Sequence, residues 1–109
     1  MSRESIGAFE QLVLLAILRL EENAYGIPIL EEVQRHSART VLRPAVYVAL
    51  RRLGEKGLVQ SRSDDASARR RGRPRRYFEV TGEGLERLRD SRETLLSMWD
   101  GLQGALDRP

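Results

Sequence analysis

Seven arginines lie within fifteen residues of this chain and could together bind phosphate groups. They are Arg62, Arg69, Arg70, Arg71, Arg73, Arg75 and Arg76. Only Asp64 and Asp65 oppose them in that stretch. A guanidinium group presents a planar fork of donors that fits phosphate oxygens. The segment therefore predicts contacts with a negatively charged, phosphate-rich partner.

The net charge of +3 conceals a strong polarity along the chain. Residues 43–76 carry eleven basic and three acidic side chains, whereas residues 1–42 sum to −2 and residues 77–109 sum to −3. Such a concentrated excess is typical of a nucleic-acid-binding surface. The arginines alone would also suit RNA or an acidic protein, but RNA readers usually present aromatic platforms. Six aromatic residues leave few for that use.

Two short apolar runs flank the arginines. Leu58 and Val59 begin the first, and Tyr77, Phe78 and Val80 mark the second. β-Branched and aromatic residues bounded by Gly, Pro, Ser and Asp predict a β-hairpin. The arginines would occupy its tip, next to the helix that precedes it.

Three helices are predicted ahead of the hairpin, at about residues 7–19, 25–36 and 43–56. The first is apolar almost all round, which indicates burial on more than one side. Pro28 fits the first turn of the second helix. Gly57 is placed to end the third in a left-handed conformation. The predicted fold class is mainly α with a small β-hairpin, a winged helix-turn-helix followed by a C-terminal helix.

The third helix has an inner and an outer face. Val46, Leu50 and Leu53 form the inner stripe, while Tyr47 and Arg51 share the outer face four residues apart. We expect the outer face to contact DNA phosphates or base edges. The predicted contacts on this helix are Arg43, Pro44, Ala45, Tyr47, Val48, Arg51 and Arg52. For Arg52, an ion pair with Glu31 or Glu32 is an equal alternative.

The last segment predicts a dimerisation helix that begins after Thr81, a suitable N-cap. Its inner positions alternate in steps of three and four, as in a heptad seam. They are Leu85, Leu88, Arg92, Leu95, Trp99, Leu102 and Leu106. The apolar members, with Phe9 and Leu12 of the first helix, are the predicted homodimer interface. Packing of this helix on its own domain is the alternative.

Several other classes of protein are disfavoured. The chain has no cysteine, its only histidine is His36, and no glycine-rich phosphate loop precedes a helix. We therefore expect neither an enzyme, nor a cofactor, nor a metal site. The longest apolar run, Leu12 to Leu18, is far shorter than a membrane span, and no signal-peptide pattern opens the chain. A cytoplasmic protein without membrane contact is predicted, with a DNA-binding domain at 1–81 and a dimerisation helix at 82–109.

Three segments resemble the PadR-like family of transcriptional regulators. The first joins the apolar opening helix from Phe9 to the Ala24-Tyr25-Gly26 entry of the second helix. The second runs from Val46 to Val59 and resembles the family's recognition helix, and the third runs from Gly72 to Leu85. The resemblance implies a homodimer that binds an inverted-repeat operator and usually represses transcription. In the family, the third helix enters the major groove and the wing grips the flanking backbone or minor groove.

The resemblance also implies roles for individual residues. It implies that the hydroxyl of Tyr47 binds a phosphate, and it favours wing contacts from Arg70, Arg71, Arg73, Arg75 and Arg76. The chain departs from the family at Leu42-Arg43-Pro44, where a serine cap and a glycine are usual. Some relatives respond to drugs, so Trp99 and Leu95 are a hypothetical pocket for a small aromatic effector. The remaining alternative is a basic nucleic-acid-binding or protein-interaction module without operator specificity.

Overall fold

The computed structural model describes residues 6–38, 40–64 and 75–107, and within them it has four α-helices and one two-stranded hairpin. The helices are α1 (Ala8–Leu20), α2 (Gly26–Ser37), α3 (Arg43–Glu55) and α4 (Gly82–Trp99). Strands β1 (Val59–Asp64) and β2 (Arg75–Val80) lie between α3 and α4. Short 3-10 turns cover Glu21–Asn23 and Ala105–Asp107. The predicted fold class is confirmed.

The hydrophobic core lies where α1, α2 and α3 meet the base of the hairpin. Each helix contributes one apolar stripe, because residues three and four apart lie on the same side. The buried side chains include Val13, Leu14, Ile17, Ile29, Val33, Val46, Leu50, Leu53 and Leu58. The inner stripe that the sequence predicts for the third helix is therefore confirmed.

The end of α3 is fixed by a Schellman motif. Gly57 has a φ of 76°, the left-handed conformation that its sequence position predicts. The N–H of Leu58 donates to the Leu53 carbonyl at 2.9 Å, and the N–H of Gly57 donates to the Gly54 carbonyl at 3.1 Å. Leu53 and Leu58 are both fully buried. The chain thus leaves α3 in a defined direction and enters β1 immediately.

The hairpin is antiparallel and is held against the start of α2. Its register pairs Val59 with Val80 at the base and Asp64 with Arg75 at the outer end. The N–H of Phe78 donates to the Ala24 carbonyl at 2.8 Å, and Tyr25 forms a bridge with Tyr77. The base of the wing is therefore fastened to the helical core.

Thr81 connects the end of α3 to the start of α4. Its hydroxyl donates to the Gly57 carbonyl at 2.8 Å and accepts from the N–H of Gly84 at 3.1 Å. Its own N–H donates to the Leu58 carbonyl at 3.0 Å. The predicted N-cap is confirmed, and the same residue also satisfies the backbone just beyond the third helix.

Gly84 lets α4 approach the hairpin closely. It is buried, and a Cβ at this position would meet the Leu58 carbonyl oxygen and lie 2.7 Å from Val80 Cγ1. A backbone carbonyl cannot move aside as a flexible side chain can. The first turn of α4 therefore packs on Leu58, just before β1, and on the end of β2 only because residue 84 has no side chain.

Replacing Gly84 with alanine should lower the free energy of unfolding by about 1–3 kcal/mol, because α4 must shift away from the hairpin. Urea denaturation followed by circular dichroism measures this change. Gly54→Ala is the matched control, since Gly54 also lies in a helix and nothing is within 4 Å of its missing Cβ. The control should be neutral or stabilising by up to about 1 kcal/mol. Equal stability of the two variants would contradict the close packing of α4.

The predicted heptad seam of the C-terminal helix is wrong at its last two residues, Leu102 and Leu106. Helix α4 ends at Trp99, and Gly101 follows with a φ of 81°. Leu102 and Leu106 therefore lie beyond the helix, in a turn and in the final 3-10 segment. The heptad spacing continues through these leucines, but glycines at 101 and 104 remove the helix that the spacing requires.

No helix in the described ranges combines the length and the hydrophobicity that crossing a membrane would demand. Nor does that part of the chain hold a group of three or more His, Asp or Glu side chains able to bind a metal ion.

Candidate nucleic-acid interface

Helix α3 presents an exposed outer face opposite its buried stripe. Tyr47 is 48% exposed and Val48 is 37% exposed. The other predicted contact residues on this helix are also exposed: Arg43, Pro44, Ala45, Arg51 and Arg52. The face carries three guanidinium groups and a phenol within fewer than three helical turns. It can therefore offer hydrogen-bond donors to phosphates and to base edges.

The start of α3 has no side-chain cap. The N-cap residue is Leu42, which is 66% exposed, and its carbonyl accepts from the N–H of Ala45 at 3.1 Å. Pro44 occupies the first turn, where a missing N–H costs little. The helix therefore begins without the serine cap that is usual in the family, and Pro44 is tolerated in its first turn. Arg43 is the charged side chain at this end of α3.

The structure brings Tyr47, Arg51 and Arg76 to one groove. A cavity of 290 Å³ between α3 and the hairpin is lined by all three, with Ser61 and Phe78 on the hairpin side. The guanidinium of Arg76 donates to the Ser61 hydroxyl at 3.0 Å, across the strands. The predicted helix and hairpin contacts therefore meet, although 25 residues of sequence separate Arg51 from Arg76.

Strand alternation separates Arg75 from Arg76. Successive side chains of a strand point to opposite faces, so Arg75 lies on the face away from Arg76. There the Arg75 guanidinium stacks over the Tyr25 ring at 4.1 Å, and the Arg62 guanidinium stacks over the Tyr77 ring at 4.9 Å. The two rings meet edge to face at 5.4 Å. This cluster, with two rings in contact and a guanidinium group stacked on each, braces the hairpin against the start of α2.

The tyrosines also affect the acid–base behaviour of Arg75. A hydrogen bond with Tyr77 raises the pKa of Arg75 above its usual value, at which an arginine is already charged at any physiological pH. The other predicted wing contacts, Arg70, Arg71 and Arg73, lie outside the described residues.

An ion pair joins the start of α1 to the end of α3. Glu10 Oε1 accepts from Lys56 Nζ at 2.9 Å and from the N–H of Gly7 at 3.0 Å. Burial alone would raise the pKa of Glu10. The hydrogen bonds from Lys56 and Gly7, and the positive charges of Lys56 and Arg52, outweigh that effect and lower the pKa below its usual value. Lys56 is the only lysine in the chain.

Arg52 does not brace the second helix. Glu32 accepts from Arg35 at 2.7 Å and bonds to His36 at 3.0 Å. Within the described ranges, no ion pair joins Arg52 to Glu31 or Glu32. Arg52 instead lies with Glu10 and Lys56 along a cleft between α1 and α3. The pairing of Arg52 with α2 is therefore not seen in the described residues, and its contact with DNA stays a prediction.

Glu10→Gln should reduce the free energy of unfolding at pH 7 by on the order of 1–3 kcal/mol, because the ammonium of Lys56 loses its carboxylate partner. A lowered folded-state pKa stabilises the fold above the unfolded pKa of about 4.3, and this contribution is lost as pH falls through the folded value. The difference between wild type and variant should therefore shrink in acid. Chemical denaturation at a series of pH values measures it. Glu86→Gln, at an exposed position of α4, is the control and should show no such dependence. A difference that stays constant down to the lowest pH would contradict the pairing.

The predicted interface residues of α4 form an apolar face. Leu85, Leu95 and Trp99 are 42%, 53% and 42% exposed, while Leu88 is half-buried. Phe9 and Leu12 of α1 are half-buried. Every residue from Arg92 to Asp107 is exposed. In the single chain, the distal half of α4 therefore projects without cover, and Leu95 and Trp99 form an open surface.

Comparison with known proteins supports the resemblance seen in the sequence. The model of the transcriptional regulator PadR-like family matches residues 14–90. Among solved structures, a PadR family transcriptional regulator from Eggerthella lenta DSM 2243 is 29% identical, over 91% of this chain and 84% of that one, with a TM-score of 0.69. A PadR family regulator from Clostridium difficile R20291 is 24% identical, over 93% and 96%, with a TM-score of 0.68. No curated protein matches.

The family match covers most of the chain. It includes all of α2, α3 and the two strands, and it extends into the first half of α4. These are the elements that carry the exposed face of α3 and the groove beside it. On this evidence the chain belongs to the PadR-like family of DNA-binding transcriptional regulators.

Proposed function

We propose that this regulator is a repressor that binds an inverted-repeat operator as a homodimer. The observation that carries the proposal is the groove between α3 and the hairpin, where Tyr47, Arg51 and Arg76 converge. A helix can lie in the major groove of DNA while a hairpin contacts the backbone beside it. An exposed α3 with a basic hairpin next to it suits that arrangement.

The α3 contacts divide by chemistry. The Tyr47 hydroxyl donates to a phosphate, and Arg51 reaches a phosphate or a guanine edge. Arg43 supplies charge at the helix start in place of the usual serine cap, with Pro44 and Ala45 next to the DNA. Val48 gives an apolar contact, and Arg52 lies at the flank of the interface.

The hairpin contributes backbone contacts. Arg76 faces the groove, and Arg70, Arg71 and Arg73 belong to the arginine run that joins the two strands in the sequence. The guanidinium of Arg75 stacks on Tyr25, so Arg75 contacts DNA only with the hydrogen-bond donors that this stacking leaves accessible. These contacts are electrostatic, so they add affinity and salt dependence rather than sequence preference.

The homodimer is supported by apolar surface that the single chain leaves uncovered. Exposed patches of this kind mark interaction sites in soluble proteins. On α4 they include Leu95, Leu96, Met98 and Trp99, and on α1 they include Leu15, at 45%, and Leu18, at 41%. A second copy would cover both helices, which agrees with the nearly all-round apolar character of α1. We propose α4 and α1 as the interface, with residues 1–81 as the DNA-binding unit.

An effector site is a further part of the proposal. Trp99 and Leu95 of two copies would form an apolar slot for a small aromatic molecule that releases the repressor. Titration of such compounds while Trp99 fluorescence is recorded tests this part separately. The proposed setting is the cytoplasm, with no catalytic role.

The deciding experiment is DNase footprinting and mobility shift on the DNA upstream of the protein's own gene, across a salt series. Two protected half-sites about one helical turn apart, with a steep salt slope, would support the operator-binding dimer. Binding that is weak and indifferent to sequence on this and on genome-wide selected fragments would favour the alternative, a basic module without operator specificity.

A further inference from the structure

Gly26 is the first residue of α2, and its backbone gives no reason for glycine. Among the described residues, only Gly57 and Gly101 are glycines with a positive φ. An alanine could therefore adopt the backbone conformation of Gly26 without strain. Helix formation also favours alanine over glycine. The reason for glycine must be the space around it.

That space is occupied by Tyr47. A Cβ on residue 26 would lie 2.5 Å from the Tyr47 hydroxyl oxygen, 3.1 Å from Cζ and 3.2 Å from Cε1. The Tyr47 ring therefore lies directly against the first turn of α2, with its other side open to solvent, since the residue is 48% exposed. Contact with α2 fixes where the hydroxyl points.

We propose that Gly26 is a positioning residue for DNA binding: the absence of a side chain there allows the Tyr47 ring to rest on α2 and holds its hydroxyl at the DNA backbone. The inference rests on the proposed role of Tyr47 as a phosphate contact. A methyl group at residue 26 displaces the end of a side chain that has solvent beside it. The ring therefore swings outward, and the fold itself is little affected.

A double-mutant cycle with Gly26→Ala and Tyr47→Phe tests the proposal. Tyr47→Phe removes the phosphate contact from both subunits and should weaken binding to the footprinted operator duplex by about 5- to 100-fold. Gly26→Ala should lose a similar factor while its melting temperature stays close to that of the wild type. The double variant should bind no more weakly than Tyr47→Phe alone, because the contact is already absent.

Gly82→Ala is the matched control. Gly82 is also the first residue of a helix, α4, and nothing lies within 4 Å of its missing Cβ. It should bind DNA as the wild type does. If the losses from Gly26→Ala and Tyr47→Phe multiply instead, Gly26 acts independently of Tyr47, for example through close approach of DNA to α2, and the proposal is overturned.

A crystal structure of Gly26→Ala without DNA tests the positioning role of Gly26 separately from the phosphate contact of Tyr47. A displaced Tyr47 ring supports the positioning role, and a ring in its original place refutes it. Wild-type DNA binding by Tyr47→Phe would instead refute the phosphate contact, and with it the proposed role of Tyr47, whatever the ring does.

Discussion

Trp99→Asp should convert the proposed homodimer to a monomer. Trp99 is the last residue of α4 and lies one turn beyond Leu95 on its exposed apolar face, and large aromatic residues dominate the energetics of such interfaces. A carboxylate there would be buried against apolar side chains without a partner. Sedimentation equilibrium should give the mass of one 12.4 kDa chain rather than of two.

Loss of the dimer should also abolish tight operator binding. Two linked half-site contacts bind more tightly than one by about 10²–10⁴-fold, and the monomer forfeits that factor. Ser97→Asp is the matched control, because Ser97 is exposed on the opposite side of the same turn and gains the same charge near the helix end. It should remain dimeric. A Trp99→Asp variant that is still dimeric would place the interface away from α4.

Arg51→Ala should weaken operator binding by about 5- to 150-fold for each phosphate or base contact of 1–3 kcal/mol that is lost, and the proposed dimer loses two such contacts. Arg51 is exposed on the outer face of α3 and lines the groove beside the hairpin. Its removal leaves the buried stripe of α3 intact. The thermal stability should therefore stay unchanged while affinity falls, which fluorescence anisotropy with a labelled operator measures.

The way in which the loss of affinity depends on DNA sequence and on salt concentration identifies the contact that Arg51 makes. A phosphate contact predicts a uniform loss on all sequences and a salt slope smaller by about one per contact, or about two for the dimer. A guanine contact predicts relaxed discrimination at one position of each half-site. Arg89→Ala removes the same charge from an exposed position of α4 and serves as the control. Equal affinities of Arg51→Ala and Arg89→Ala would exclude Arg51 from the interface.

The elements that the sequence predicted well are those with strong local signals. Pro28 in the first turn of α2, Gly57 after α3 and Thr81 before α4 each restrict the backbone at a helix end. The predicted bounds of the first three helices consequently agree with the structure to within one or two residues. The hairpin followed from β-branched and aromatic runs bounded by turn residues, and the outer face of α3 followed from a periodicity of 3.6 residues.

One prediction was wrong and two features were not predicted, each for an identifiable reason. The extension of the seam to Leu102 and Leu106 relied on spacing alone, although Gly101 already indicated a break. The separation of Arg75 from Arg76 was readable from strand alternation. The pair of Glu10 and Lys56 spans 46 residues, and no local pattern reveals such a contact.

Gly26 illustrates a different limit on what can be predicted from sequence. A glycine that is needed for a turn has a signature in its neighbours, but a glycine that makes room for a distant ring has none. Its contact with Tyr47 depends on how α2 and α3 pack, and this is determined only by the assembled core.

The hydrogen bonds of Thr81 have a consequence for which operators the protein accepts. They fasten the end of α3, the proposed DNA-reading helix, directly to the start of α4. In the proposed dimer, a change in the angle at which two α4 helices cross would therefore change the distance between the two α3 helices. The preferred spacing of half-sites would then depend on seam residues that never touch DNA. Operator preference could thus change between related proteins while every DNA-facing side chain stays the same.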